Sequence, residues 1–292
     1  MIIKVDFGGR VDKLLADALP QYSRAAIHKL FGMDLIKLDG VVVKPGHKVR
    51  EGAIIEADLS PLQQEQQVEI LPILFEDKDV VVIDKPTGII SHSRGRYWYE
   101  PSVASFLRFH IYGPSTENGE PTLHSGTDRA GIIHRLDRAT SGVMICAKNE
   151  ETTKFLQKQF ADRKVQKTYI AILEKTPDKL EAIIDAPIER NPKKPSQFRV
   201  GPNGKVAQTH YRVLKTSDSG RCLVEFTPKT GRTHQLRVHA VYIGCPILGD
   251  SFYGTEGERL FLHANKLTVL TATGDHVTYE SPLPKEFENA LT

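Results

Sequence analysis

The chain has 292 residues, of which 40% are apolar and 26% charged, and its formal net charge is +3. That balance belongs to an ordinary globular protein and excludes a disordered, collagen-like or disulfide-scaffold chain. The opening "MIIKVDFGGR" lacks the apolar core of a secretion signal and no later run is long enough to span a membrane, so a cytoplasmic protein is expected.

In chain order, Val11, Leu14, Leu15, Ala18 and Leu19 recur at helical spacing until Pro20 breaks the pattern, which predicts a first helix. Ser23 then stands as an N-cap before "RAAIHKLFG", a second short helix ending at Gly32. The next stretch alternates apolar and polar residues around Asp39-Gly40, Pro45-Gly46 and Glu51-Gly52, which predicts a few small strands. "SPLQQEQQ", residues 60–67, is polar and led by Pro61, so a boundary is expected there: a small domain over 1–62, a linker over 63–68 and a large domain over 69–292.

Within the large domain, "VVVID", "GVMICAK", "TYIAIL", "HYRVLKTS" and "CLVEFTP" are short β-branched runs bounded by turn residues and read as strands. "TTKFLQKQF" and "HQLRVHAVYIG" have helical spacing, the second with Thr233 as its expected N-cap and Gly244 as its stop. Strands and helices mix irregularly, so the expected class is α+β rather than a wound parallel sheet.

Cationic residues concentrate in two stretches, Arg24 to Arg50 and Arg190 to Arg212, a pattern suited to a polyanionic partner. Cys146, Cys222 and Cys245 lie far apart in apolar runs and suit buried thiols, and no histidines share a convincing metal-ligand spacing. No metal and no cofactor are expected. Three segments carry candidate chemistry. "GIIHRLDRATSG" (131–142) places Asp137 in a turn before a strand, where it serves either as a local hydrogen-bond acceptor or as a carboxylate aimed into a cleft. "TGRTHQLRVH" (230–239) sets Arg237 about one turn into a helix, while His234 and His239 read as core histidines. "KVQKTYIAILE" (164–174) leads from Lys164 and Lys167 into a strand with Tyr169 near its start, where a tyrosine ordinarily packs.

Taken in this order the segments resemble the RluA family of RNA pseudouridine synthases. "HRLDRATSG" fits the family signature at every specified position, followed by "KTY", "GRTHQLRVH", "CPILGDSFYG" and "LFLHANKL". "GGRVDKLLADALPQYSRAAIHKLF" resembles the S4 RNA-binding module, so the resemblance covers nearly the whole chain. It implies a mixed, largely antiparallel catalytic domain with a central cleft, and a cofactor-free isomerisation. The N1–C1′ bond of a uridine breaks, the uracil turns, and C5 joins C1′.

The resemblance assigns the catalytic aspartate to Asp137, the active-site tyrosine to Tyr169 and an aspartate-pairing arginine to Arg237. It gives Arg135 the place of the displaced base, since a stacked uridine must be flipped out to react. Lys164, Lys167 and Lys193, with Arg10, Arg24 and Lys29 of the module, are the expected phosphate contacts. The expected partner is ribosomal RNA, with transfer RNA second, and no membrane, and the chain is expected to act as a monomer. The alternative function is a non-catalytic RNA-binding or ribosome-assembly factor on the same fold. Two features depart from the family pattern. Asp39-Gly40 replaces the usual Asn-Gly of the module, and the stretch from His92 to Arg129, with Trp98, is long and serves either RNA selection or packing.

Overall fold

Helix periodicity in the first 32 residues produces two short helices over a small sheet. The computed structural model describes residues 1–63, 68–92, 100–113, 130–271 and 273–291, so Trp98 and most of the long stretch before Arg129 lie outside the described residues. Contacts divide the chain into two compact units, one built on Met1–Val68 and one on Glu69–His92, the helix after Ser102 and the chain from Ala130 onward.

In the first unit, helix Val11–Ala18 stops before Pro20, and helix Arg24–Gly32 is capped by Ser23, whose Oγ accepts the Ala26 N–H at 3.2 Å. Strands run in the order Ile2–Lys4, Ile54–Ala57, Ile36–Leu38, Val41–Val42. The last two are joined by a tight turn in which Asp39 and Gly40 both take positive φ, 48° and 83°, the backbone that an Asp-Gly pair supports. The carboxylate of Asp39 accepts the Ile54 N–H at 3.0 Å, a structural use for the residue that departs from the module pattern. Val11, Leu15, Ile27, Leu30, Ile36 and Ile55 form the core.

The Gln-rich stretch begins as structure. Ser60–Gln63 is a helical turn, Asp58 accepts the Ser60 N–H at 2.9 Å, and Leu59 and Leu62 are buried in the small core, so two leucines hold a segment whose polar composition reads as linker.

The second unit is built on a nine-stranded sheet. Its path is Glu181–Asp185, Gln208–Thr216, Cys222–Pro228, Gln166–Leu173, Leu262–Leu270, Ser141–Ala147, Val80–Lys85 and Ile73–Glu76, with His276–Glu280 also paired to Leu262–Leu270. Every pairing is antiparallel except that of Leu262–Leu270 with Ser141–Ala147. The class is therefore α+β, with a mixed and largely antiparallel sheet.

Ser141–Ala147 is buried along its whole length, and its Met144 and Ile145 pack with Val81, Ile83, Phe106 and Leu156 from neighbouring strands and helices. Along Gln166–Leu173 the period-2 pattern sorts side chains into two cores. Ala171 and Leu173 join Val224, Phe226 and Leu236, while Ile170 and Ile172 join Phe287.

Leu262–Leu270 escapes the pattern reading because polar residues occupy its buried positions. His263 is buried between Ser141 (Nδ1 to Oγ, 3.0 Å) and Ser281 (Nε2 to Oγ, 3.0 Å), and Asn265 donates to the Ser281 carbonyl at 2.9 Å. Gly142 lies across from Ala264 in the parallel pair, and a Cβ there would sit 2.2 Å from the Ala264 carbonyl oxygen. Only glycine lets these two backbones meet. Among the described residues no helix is long and apolar enough to cross a membrane.

Candidate active site

Asp137 sits in the short link that delivers the chain into the buried strand Ser141–Ala147, and residues 85–91 clasp that link from the side. Ser91 Oγ donates to the Leu136 carbonyl (2.8 Å) and accepts the Leu136 N–H (3.1 Å). Gly88 N–H and Thr87 Oγ1 donate to the carbonyls of Arg138 and Ala139 at 2.8 and 3.0 Å. Thr140 N–H closes a turn onto the Asp137 carbonyl at 3.1 Å.

At the root of the clasp is Lys85, fully buried at the end of an apolar strand. Its ammonium donates to the carbonyls of Pro86, Ile89 and Arg138 at 2.7, 2.7 and 3.3 Å, three acceptors for three protons. Burial pushes the amine down to about 7, and the charge of Asp137 works in the opposite sense. Sequence reasoning missed Lys85. The available signal was "VVVIDKPTG", a lysine closing an apolar strand directly before a Pro-Thr-Gly turn.

One cleft brings together Asp137, Tyr169 and Arg237, with Arg135 and Lys167 on its wall. Tyr169 enters from strand Gln166–Leu173, and its phenol is pushed up by burial and by the charge of Asp137, so the hydroxyl stays protonated at neutral pH.

Arg237 makes a different bond from the one the sequence suggests. Its Nε and Nη2 donate to the two carboxylate oxygens of Asp250 at 2.8 and 2.5 Å, and its guanidinium lies 5.1 Å from the ring centroids of Phe252 and Tyr253. The hydrogen bonds of Arg237 go to Asp250, whose side chain has no exposure and requires a cation beside it, and Arg237 reaches Asp137 through its charge. Asp250 also accepts the N–H groups of Phe252 and Tyr253 at 3.0 and 3.2 Å.

The side chain that faces Asp137 is His234, with Nε2 3.9 Å from Oδ2. It is also the N-cap of helix Gln235–Tyr242, in place of the expected Thr233, and it caps without a side-chain hydrogen bond. Its φ of 56° is left-handed, a conformation that costs a non-glycine residue about 1–2 kcal/mol. The other two histidines of these motifs are structural. His134 stacks on Phe160 at 4.7 Å and accepts the Ile145 N–H at 3.1 Å, and burial pushes it down to about 3. His239 is buried between Thr209 and the Ala186 carbonyl.

Beside this cleft, and sharing Arg135, Lys167 and Arg232 with it, runs a groove that adds Arg163 and Lys229 and, among the described residues, has no carboxylate in its lining. Elsewhere cations meet carboxylates, as in Lys148–Glu76, Arg199–Glu189 and Arg212–Glu225. The exposed Lys164 and Lys193 line neither depression. Lys193 sits in the loop between the paired strands Ile188–Arg190 and Phe198–Val200. Arg10, Arg24 and Lys29 belong to the first unit, where Arg10 is engaged with Asp12 through two bonds of 3.0 and 2.9 Å.

Residues 79–241 match the family model described as RNA pseudouridylate synthase. The chain belongs to the RNA pseudouridylate synthase family. It is 38% identical to an RNA pseudouridine synthase of Aquifex aeolicus over 84% of this chain and 77% of that one. It is 34% identical to ribosomal large subunit pseudouridine synthase D of Nitrosomonas europaea, over 97% and 84% of the two chains. Among solved structures, human RNA pseudouridylate synthase domain containing 4 superposes with a TM-score of 0.58 at 29% identity, covering 75% of this chain and 91% of that one. This synthase is thus an isomerase that acts on RNA, and a purely binding role on the same fold is set aside.

Proposed function

We propose that the protein converts uridine to pseudouridine in structured ribosomal RNA, with transfer RNA as the second candidate, and that Asp137 is the reactive carboxylate. The observation that carries this reading is the placing of one partly exposed aspartate in a cleft beside Tyr169, next to a groove rich in cations. The similarity to ribosomal large subunit pseudouridine synthase D favours large-subunit RNA as the first substrate to try.

In this reading a uridine leaves its stack at a cost of a few kcal/mol and enters the cleft. Tyr169, protonated, packs its ring against the uracil. Arg135 fills the space left behind, and Lys167 and Arg232 hold the flanking phosphates. Lys164 and Lys193 extend the electrostatic path. Arg24 and Lys29, with Arg10 once its pair with Asp12 opens, give the N-terminal unit an S4-like role on RNA. The catalytic domain works as a monomer without metal or cofactor.

The test is turnover on ribosomal and transfer RNA transcripts by purified wild type and Asp137→Asn, with pseudouridine mapped by nucleotide. Wild type should form pseudouridine in ribosomal RNA and Asp137→Asn should lose at least about 10³-fold, the scale of removing the group that does the chemistry. Undiminished turnover in Asp137→Asn, or turnover on neither RNA, overturns the proposal.

A further inference from the structure

We propose that His234, fixed by Tyr253, is the positioning residue for Asp137: its Nε2–H steadies the carboxylate without neutralising it. The proposal rests on the reading of Asp137 as the reactive group.

The hydrogen bonds around Tyr253 set the tautomer. Its hydroxyl accepts the Phe198 N–H at 2.8 Å and lies 2.8 Å from His234 Nδ1. A phenol carries one proton, and Phe198 N–H is itself a donor, so the hydroxyl proton goes to Nδ1. The remaining ring proton is then on Nε2, the atom 3.9 Å from Asp137 Oδ2. That gap exceeds a hydrogen bond by about 1 Å, and with the imidazole held, a rotation of the partly exposed Asp137 carboxylate is the movement that would close it.

The ring is held where it is. Phe198, Phe252 and Tyr253 surround it at centroid distances of 5.8, 5.7 and 5.6 Å. The charged groups around the imidazole are Asp137 and Asp250, which favour its protonation, and Arg237 and Arg135, which oppose it. With these signs opposed, burial lowers its pKa from the ordinary histidine value, which favours the neutral ring.

Arg237 directs Nε and Nη2 to Asp250 and reaches Asp137 through its charge, while the ring nitrogen beside the Asp137 carboxylate is that of His234. An imidazolium in that place would pair with the carboxylate and hold back the electron pair it must offer. A neutral N–H orients it and leaves the charge available.

The test compares wild type, His234→Ala, His234→Gln and Tyr253→Phe on one RNA stem-loop substrate, with kcat and KM measured from pH 5.5 to 8.5. His234→Ala should lower kcat about 10²-fold with KM within threefold, and His234→Gln, which keeps an N–H donor, should regain about tenfold. Tyr253→Phe removes the hydroxyl that occupies Nδ1, so Nδ1 becomes open to protonation. Its kcat should fall toward pH 5.5, where wild type stays flat.

Wild-type turnover and its loss in Asp137→Asn are read first in the same assay, and their failure counts against the role of Asp137. If they hold, an unchanged kcat in His234→Ala, or a wild-type pH profile in Tyr253→Phe, overturns the positioning role alone. Should His234→Ala not fold, the Tyr253→Phe profile and the His234→Gln kcat decide.

Discussion

Two aspartates act on the same Arg237 and His234 and are treated in opposite ways. Asp250 has no exposed side-chain surface and accepts two bonds from Arg237 and two from backbone amides. Asp137, in the cleft, keeps 23% of its side chain exposed, and the nearest charge-capable partner is a histidine nitrogen at 3.9 Å. A saturated carboxylate cannot bind or react with anything further, whereas one left short of partners on a rigid backbone can. The protein stabilises the Asp137 link through main-chain bonds and leaves its carboxylate open.

The contrast breaks most sharply at Asp250. Asp250→Asn leaves the Arg237 guanidinium buried without its counter-charge and should cost about 3–5 kcal/mol in urea denaturation, while Asp137→Asn should stay within about 0.5 kcal/mol of wild type. A larger loss at Asp137 would invert the comparison. Next in size is the clasp. Lys85→Met withdraws three hydrogen bonds donated by a buried ammonium and should cost about 2–3 kcal/mol, with kcat falling more than KM rises; an unchanged denaturation midpoint would remove Lys85 from the support of Asp137.

The smallest effect tests the wall of the cationic groove, where burial pushes His134 down to about 3 when folded, against its ordinary 6.5 when unfolded. Between those values the unfolded chain binds a proton that the native one refuses, so stability falls as pH drops, by up to about 1.4 kcal/mol per pH unit for this group. His134→Gln keeps an acceptor for the Ile145 N–H and removes the titration, so its stability should fall less steeply from pH 6.5 to 5. An identical slope in the two proteins would show that the ring carries none of the dependence.

Much of the fold was legible because its elements obey simple periods. Helix Glu150–Ala161 carries its apolar residues at helical spacing, and Ser141–Ala147 is an unbroken buried run. The pattern failed where polar side chains are buried with long-range partners. His263 and Asn265 interrupt the alternation of Leu262–Leu270, and their justification, Ser281, lies 18 and 16 residues away. At the site, Asp137, Tyr169 and Arg237 were found through motif order, and the cleft does gather them. The partner of Arg237 was not readable, since Asp250 stands 13 residues on, beyond a helix and a turn. His234 was hidden for a local reason: a left-handed backbone at a helix start has no signature in a histidine.

The place of Leu262–Leu270 in the sheet sets an order on synthesis. This strand joins Gln166–Leu173 on one side to Ser141–Ala147 on the other, so a growing chain that has not yet delivered it holds two half-sheets with facing unpaired edges. Until then the two halves that carry Asp137 and Tyr169 have no strand between them. Such edges invite pairing with other chains. Until Leu262–Leu270 is in place, the facing edges of Gln166–Leu173 and Ser141–Ala147 must be kept from the strands of other chains.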